Sequence, residues 1–341
     1  MSKKVKTLVI GGVALLVLIA LMITLIFVFK DSGEENSSSS STASYNLVEK
    51  NINNIANIQV TNALGGYTIT QNDEGVFDVP GLEGFEVNQD NAKSAVSQMA
   101  VLDANTLVEE NASDLAQYGF EDPQAVIVVT LRDGSSYTVT VGDMSPTDMG
   151  NYTMVSGDTN VYIVSDVYLS RYYEHDNLYF VSTTFRNNPD NETVFAQKIN
   201  LFRKDLTTQL YFEKAADTSN PDRPGFTSPY DMVSPVYSYI NTENFTDISG
   251  PVNKCYADRA IVLHPTEEQL QEYGFKDPQG IYLAVLDEGT MVITAGNPYY
   301  EDVENEDGTS TRTQTGYYMM ISGIDAIFYA SYENIPWMQT E

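Results

Sequence analysis

Two histidines and one cysteine are the side chains best suited to metal binding or nucleophilic chemistry in this 341-residue chain. His175 lies in the segment Arg-Tyr-Tyr-Glu-His-Asp, and His264 precedes a proline much later in the chain. A zinc site needs three or four ligands, and Cys255 is the only thiol. We therefore expect surface or capping roles for both histidines and predict no metal site.

Carboxylates are abundant, 47 against 18 basic residues, and the run at 301–308 (EDVENEDG) superficially resembles a calcium-binding loop. If the glycine took the sixth position of an EF-hand, Val303 would fall at the first position, where a carboxylate is required. Gln314 would fall at the twelfth position, which belongs to a bidentate glutamate. The run predicts a solvated hairpin tip instead, and weak calcium binding stays open.

The sequence contains no catalytic motif. Paired carboxylates could hydrolyse a glycosidic bond, but among 47 acids some pair always lies at a suitable separation. No Gly-x-Ser-x-Gly elbow, phosphate-binding glycine loop or Ser-x-x-Lys set occurs. We predict no catalytic residue, no cofactor and no enzymatic activity.

The 23 tyrosines include doublets at 172–173, 299–300 and 317–318. They could form a face that binds a sugar or a protein partner. In a β-rich protein, however, tyrosine more often lies across neighbouring strands with its ring packed and its hydroxyl in water. We expect this packing role for most of them.

An internal repeat marks the elements that position these residues. Residues 118–124 read Tyr-Gly-Phe-Glu-Asp-Pro-Gln, and residues 273–279 repeat them with lysine in place of glutamate. A leucine precedes each segment by three residues. Such self-similarity indicates one structural unit used twice.

The repeated segment has the composition of a helix end that leads into a strand. Its glycine stands where a helix C-terminus favours a left-handed residue, and its proline prevents the helix from resuming. Thr266 and Gln269 predict a capping box before the second copy. We interpret the segment as architecture rather than an active site. The predicted repeat motif comprises Leu115, Tyr118, Gly119, Phe120, Asp122, Pro123, Leu270, Tyr273, Gly274, Phe275, Asp277 and Pro278.

The patterns around the motif predict two similar units at 45–185 and 190–341. Strands and hairpins are expected throughout, among them strands at 67–71, 125–131 and 161–164, with helices at 88–102, 112–117 and 232–240. The loop after Gly296 is longer and more acidic than its counterpart after Gly142. The predicted fold is α+β: two tandem repeats of a mostly antiparallel β-sheet with packed helices, preceded by one transmembrane helix.

Residues 8–29 carry no charge and, as a helix, would span about 33 Å, enough for a hydrocarbon core of about 30 Å. Lysines precede this run and acids follow it, so the positive-inside rule predicts a cytoplasmic tail at 1–7. The run is too long for a typical signal peptide. We predict a transmembrane helix at 8–29, a Ser-rich linker at 30–44, and the remaining chain outside the cytoplasm at the cell membrane.

The net charge is −29, and residues 1–30 contribute +4, so the rest of the chain carries −33. Such a charge keeps a domain soluble and repels phosphate polymers. Nucleic acid is therefore not an expected partner.

At the repeated motif the chain resembles a family of bacterial extracytoplasmic domains of unknown function, number 4340 in that series. The resemblance rests on the Tyr-Gly-Phe helix end, the Asp-Pro step, the hairpin turn at Asp133-Gly134, and a later aromatic strand near Tyr152. It implies two tandem copies, a single membrane anchor and a role as an accessory subunit of an ABC-type transporter, and it offers no catalytic residues.

These observations predict a non-enzymatic, membrane-anchored protein that binds protein partners at the cell envelope. A module that binds envelope glycans is the first alternative. A carboxylate-dependent hydrolase is the second.

Overall fold

The computed structural model describes residues 44–147, 149–188, 193–219, 223–225, 227–305 and 308–339. Within these ranges no helix is long and apolar enough to cross a membrane. The predicted tail at 1–7, the predicted membrane helix at 8–29 and all but the last residue of the predicted linker at 30–44 lie outside the described residues.

The described part of the N-terminal half contains ten strands, all paired antiparallel. They are β1 (Tyr45–Glu49), β2 (Ile55–Asn62), β3 (Tyr67–Gln71), β4 (Phe77–Asp78), β5 (Val101–Ala104), β6 (Thr106–Glu109), β7 (Ala125–Leu131), β8 (Ser136–Met144), β9 (Asn151–Val155) and β10 (Val161–Val164). Eight of them form one sheet in the order β4-β3-β2-β7-β8-β9-β10-β6, and β1 pairs with β5 separately.

The C-terminal half contains eleven strands within the described residues. They are β11 (Thr184–Asn187), β12 (Lys198–Arg203), β13 (Leu210–Lys214), β14 (Thr227–Ser234), β15 (Ser238–Asn241), β16 (Lys254–Tyr256), β17 (Arg259–Leu263), β18 (Gly280–Leu286), β19 (Gly289–Glu304), β20 (Ser310–Ile321) and β21 (Ala326–Ser331). Nine form a sheet in the order β15-β14-β13-β12-β18-β19-β20-β21-β17, and β11 pairs with β16 separately.

The two sheets share one strand order. Each is centred on an antiparallel pair, β2 with β7 and β12 with β18, whose strands are distant in sequence. On one side lies a meander of two further strands, and on the other lie three consecutive strands and a returning edge strand, β6 or β17. The separate pairs β1–β5 and β11–β16 also correspond, and β15 is the one extra strand of the second sheet.

Where the structure is described, four short α-helices accompany the sheets: α1 (Gln89–Ala100), α2 (Asp166–Tyr173), α3 (Thr242–Ser249) and α4 (Glu267–Glu272). The Asn88 side chain caps α1 by accepting a hydrogen bond from the Asn91 amide, 3.0 Å away. Ala92, Val96 and Met99 recur at helical spacing and are fully or almost fully buried. The helix predicted at 88–102 is therefore present, two residues shorter at its C-terminal end.

The prediction of an α+β fold was wrong, because the structure is mostly antiparallel β-sheet, with 46 % strand against 17 % helix. Two of the three predicted helical segments account for part of the difference. Residues 112–117 yield only a 3-10 turn at Ala116–Tyr118. Residues 232–240 form the end of β14 and most of β15, and the helix begins after them.

The error at 232–240 has an identifiable cause. The apolar residues there recur at a spacing that also fits a helix, but Pro235 lacks the backbone N–H that a helix interior needs. Val233 and Val236 are β-branched and favour extended backbone. The Asn241 side chain accepts a hydrogen bond from the Glu243 amide, 2.9 Å away, and so starts α3 at Thr242.

A hydrophobic core of buried side chains lies under both sheets. In the N-terminal half the fully buried Tyr172 hydroxyl donates to the Ala95 carbonyl of α1, 2.6 Å away. In the C-terminal half the buried Tyr282 hydroxyl donates to the Ile248 carbonyl of α3 at 2.9 Å. Trp337, fully buried near the C-terminus, lies 5.8 Å from the Tyr282 ring. A tyrosine therefore joins a helix to the core in each half.

Candidate functional site

Both copies of the repeat motif form the same helix-ending turn. Gly119 and Gly274 have left-handed backbones, with φ of 78° and 88°. The Phe120 amide donates to the Leu115 carbonyl at 3.3 Å, and the Phe275 amide donates to the Leu270 carbonyl at 2.8 Å. These bonds satisfy helix-end carbonyls that would otherwise have no partner. In the second copy the predicted capping box of Thr266 and Gln269 is confirmed.

A second glycine in each half lets the motif pack against the sheet. A Cβ atom on Gly142 would lie 2.1 Å from the Tyr118 carbonyl oxygen, and one on Gly296 would lie 2.3 Å from the Tyr273 carbonyl oxygen. Neither distance is possible for a real side chain, so glycine is needed at both positions.

The motif tyrosines pack edge-to-face on an aromatic residue of the sheet in both halves. Tyr118 lies 4.9 Å from Tyr152, and Tyr273 lies 4.6 Å from Tyr318. The Tyr118 hydroxyl donates to Glu109 at 2.6 Å, which raises the pKa of Tyr118 to about 12. The Asp and Pro positions are exposed or half-buried, and Asp277 forms an ion pair with Lys204 at 2.5 Å. These contacts connect the motif to the sheet, and none of them forms a catalytic arrangement.

The C-terminal half carries a row of aromatic side chains that crosses four neighbouring strands. It consists of Tyr299 on β19, Tyr318 on β20, Tyr329 on β21 and Arg259 on the edge strand β17, and we call it the tyrosine row. The Tyr299 ring lies 5.2 Å from Tyr318 and 4.2 Å from Tyr329. The Arg259 guanidinium lies 5.3 Å from the Tyr299 ring centre and 5.0 Å from that of Tyr329. Cation–π contacts therefore close one end of the row.

Hydrogen bonds and charge fix the row further. The Arg259 guanidinium donates to the Tyr299 hydroxyl and approaches Glu301 at 3.4 Å. The Tyr329 hydroxyl donates to Thr315 at 2.9 Å. Burial raises the pKa values of Tyr318 and Tyr329, so both hydroxyls stay protonated at neutral pH. The row is therefore a preorganised surface of aromatic and hydrogen-bonding groups.

The hairpin of β19 and β20 extends well beyond its counterpart in the first half. Gly150 and Gly316 occupy equivalent positions, since a Cβ atom on either would lie 2.0 Å from a carbonyl oxygen of the next strand. Gly142 and Gly150 are 8 residues apart, whereas Gly296 and Gly316 are 20 apart, a difference of 12. The added residues lie within the outer hairpin, defined here as residues 298–305 and 308–315, where Tyr300 and Val303 are 45 % and 43 % exposed.

Among the described residues of the first half there is no equivalent of the tyrosine row. In the second sheet Tyr318 pairs with Tyr329, which pairs with Arg259. In the first sheet the same register joins Tyr152 to Ile163 and Ile163 to Thr106. Of the tyrosine row, only Tyr318, which packs on the motif tyrosine, has a counterpart in the first sheet, namely Tyr152.

Comparison with known families follows from the motif. The sequence profile of a family described as a domain of unknown function, DUF4340, matches residues 78–278. The chain belongs to this family. The match spans the first motif and the second motif up to Pro278. No curated protein and no solved structure matches the chain.

A cleft of about 200 Å³ lies between the two halves of this DUF4340 chain, and His264 is one of its lining residues. The His264 Nδ1 atom lies 2.9 Å from the Asp325 carboxylate, and both side chains are 66 % exposed. The Phe85 ring of the first half lies 5.1 Å from the imidazole. Among the described residues no hydroxyl or thiol hydrogen-bonds to this imidazole.

The other candidate groups are separated from one another. His175 stacks on Tyr179 with ring centres 4.0 Å apart, and burial lowers the pKa of His175. Cys255 is buried on β16, and this burial raises its pKa to about 12, so its thiol is unreactive. Within the described ranges no three His, Cys, Asp or Glu side chains lie together as metal ligands would.

The acidic run at 301–308 continues β19 as far as Glu304 and then enters a turn. The Gly308 amide donates to the Asn305 carbonyl at 2.9 Å. Sequence reasoning identified the tyrosine doublets and the longer loop after Gly296 but missed Arg259. No signal in the sequence placed Arg259 beside these tyrosines, because it lies on β17, 70 residues before its partner Tyr329 on β21.

Proposed function

We propose that this chain is a non-enzymatic protein-binding subunit built from two tandem copies of one module. Binding occurs through the tyrosine row and outer hairpin of the C-terminal copy. Tyrosine and arginine are the residue types that most often dominate the energetics of protein interfaces. The partner is the membrane subunit of an ABC-type exporter, a choice that comes from the family resemblance and not from the fold.

The observation that carries this proposal is the asymmetry on one side of two sheets whose strand orders otherwise differ only by the edge strand β15. A module needs neither the outer hairpin nor the row to fold, because the N-terminal sheet forms the same strand order without them. The row and the hairpin are thus additions to a scaffold that is complete without them. Additions with exposed aromatic and apolar side chains are typical of a binding surface.

The packing of the row favours a protein partner over a glycan. A sugar-binding platform presents an open aromatic face to the sugar ring. Here Arg259 covers Tyr299 and Tyr329, and Tyr329 is only 5 % exposed. What remains accessible is a mixture of ring edges, the Arg259 guanidinium and the outer hairpin, which suits a protein surface.

The location of the protein in the cell rests on the sequence of residues 8–29. A membrane-held protein has a raised effective concentration near a membrane partner. Extraction of cell membranes with carbonate tests this: the anchored protein stays in the pellet, and release of the full-length chain would contradict anchoring.

Co-purification in a mild detergent tests the binding proposal. The variant Tyr300→Ala/Val303→Ser removes exposed side chains of the outer hairpin, and Val76→Ser/Met149→Ser is the matched control, with similarly exposed apolar residues (48 % and 54 %) in the first half. We expect the wild type and the control to recover the exporter subunit in similar amounts. The hairpin variant should recover at least about tenfold less of it. Equal recovery by all three proteins would contradict the proposal.

A further inference from the structure

We propose that a groove between α1 and α2 in the N-terminal half is a binding site for a phosphate group. The groove has a volume of about 450 Å³ and is lined by Lys93, Ser94, Ser97, Gln98, Val101 and Arg171. Its lining residues thus include one lysine and two serines from α1 and one arginine from α2. It lies in the half opposite to the tyrosine row and does not depend on the proposed partner binding.

Arg171 has no partner of its own among the described residues. Its Nε atom is shielded from solvent and makes no hydrogen bond, and no carboxylate lies within ion-pair distance of its guanidinium. A buried N–H of a charged group is destabilising when it has no acceptor. The guanidinium group that lines the groove therefore has no counter-charge from the described residues, and a bound anion would supply one.

The other arginines of the described chain show how unusual this is. Five form ion pairs with carboxylates, and the sixth lies over an aromatic ring: Arg132, Arg186, Arg203, Arg223, Arg259 and Arg312. The chain has 47 acidic residues, so carboxylate partners are plentiful. Even so, none pairs with Arg171, and none lines the groove.

The helix position of Arg171 does not account for the arrangement by itself. Arg171 lies in the last turn of α2, where a cation interacts favourably with the helix dipole. The carbonyl of Arg171 itself accepts from the Tyr67 hydroxyl at 3.1 Å, and the Ser170 carbonyl accepts from the Glu174 amide. The helix-end carbonyls at these two residues are already bonded, and the guanidinium bonds to neither.

The donors of the groove match a phosphate group better than other anions. Guanidinium binds two oxygens of a phosphate in a fork, lysine adds a point charge, and serine hydroxyls complete the contacts. The Gln98 amide donates to the Val101 carbonyl at 3.2 Å and so is already engaged. The strongly acidic surface elsewhere opposes a whole anionic membrane, so we expect free phosphate or a small phosphorylated molecule rather than a lipid headgroup.

Titration of the full-length protein in detergent with inorganic phosphate tests the site. The ionic strength is held constant, and binding is followed by calorimetry or by amide chemical shifts. We expect saturable binding at one site that weakens at least tenfold in Arg171→Gln and several-fold in Lys93→Gln. The control Lys50→Gln, which removes a lysine outside the groove, should bind as the wild type does. If Arg171→Gln fails to fold, Lys93→Gln alone decides, because Lys93 is exposed.

Sedimentation with vesicles of phosphatidylglycerol and phosphatidylcholine separates the two sources of phosphate. Phosphate binding without vesicle binding assigns the site to a free or small-molecule phosphate. Vesicle binding that Arg171→Gln abolishes assigns it to a headgroup. Binding to neither probe, or binding of equal strength in all variants, would overturn the proposal.

Discussion

At the scale of single residues, glycines in tight turns constrain the fold more than any chemically reactive side chain does. Gly119 combines a left-handed backbone with close packing: a Cβ atom there would lie 2.5 Å from the Asp143 side chain and 2.8 Å from its backbone nitrogen. Gly134 is also left-handed, with φ of 86°, but has nothing within 4 Å of the same position. A substitution at Gly134 therefore tests backbone strain alone, whereas one at Gly119 tests backbone strain together with steric overlap.

We predict that Gly134→Ala lowers the free energy of unfolding by about 1 kcal/mol, the usual cost of a left-handed non-glycine residue. Gly119→Ala should lower it by at least about 1 kcal/mol more, since overpacking adds about 1–3 kcal/mol. Urea unfolding followed by circular dichroism measures both. Equal losses in the two variants would show that packing against Asp143 is unimportant.

A pH dependence also belongs to this scale. Burial lowers the pKa of His175 below its ordinary 6.5, so the unfolded chain binds this proton more readily than the folded chain. The stability that His175 contributes is therefore complete above pH 6.5 and is lost as the pH falls below that value toward the folded pKa. We expect the urea concentration at the unfolding midpoint to decrease as the pH is lowered from 7.5 to 5.5. The variant His175→Phe, which keeps a ring stacked on Tyr179, should show a smaller decrease. An identical fall in both proteins would argue against the assignment.

At the scale of elements, the sequence predicted strands and turns well and helices poorly. The strands at 67–71, 125–131 and 161–164 are present as predicted because alternating apolar residues and Asp-Gly turns determine them locally. The segment 232–240 was misassigned because its apolar spacing fits either period, although Pro235 and the β-branched valines favour the extended backbone that pairs with β13. Arg259 could not be placed in a site, since the pairing of β17 with β21 brings together residues 70 apart in sequence.

The start of α3 offers a test at this scale. Asn241→Ala removes the side chain that accepts the Glu243 amide, and we expect it to lower the free energy of unfolding by about 1 kcal/mol. Asn305→Ala, also in a turn of the same half, serves as a control for asparagine loss away from a helix. Chemical unfolding compares the two. No loss in Asn241→Ala would mean that the helix begins elsewhere.

At the scale of the whole molecule, two sheets of one strand order differ mainly at one place. The resemblance of the halves was visible in a seven-residue repeat, yet the asymmetry needed the structure, because the extra residues follow a shared glycine without any motif of their own. The fold class was predicted incorrectly because the helices are short and contribute far fewer residues than the strands, 17 % against 46 %. The proposed function follows from the difference between the halves, not from what they share.

Site-specific photocrosslinking in cells tests that function most directly. A photoreactive amino acid replaces Tyr300 on the outer hairpin or, in a matched variant, Met149 in the corresponding turn of the first half; both positions are exposed. We predict a crosslink to the exporter membrane subunit from position 300 and none from position 149. Equal crosslinking from both positions, or from position 149 alone, would contradict the account, and so would the absence of any crosslink to that subunit.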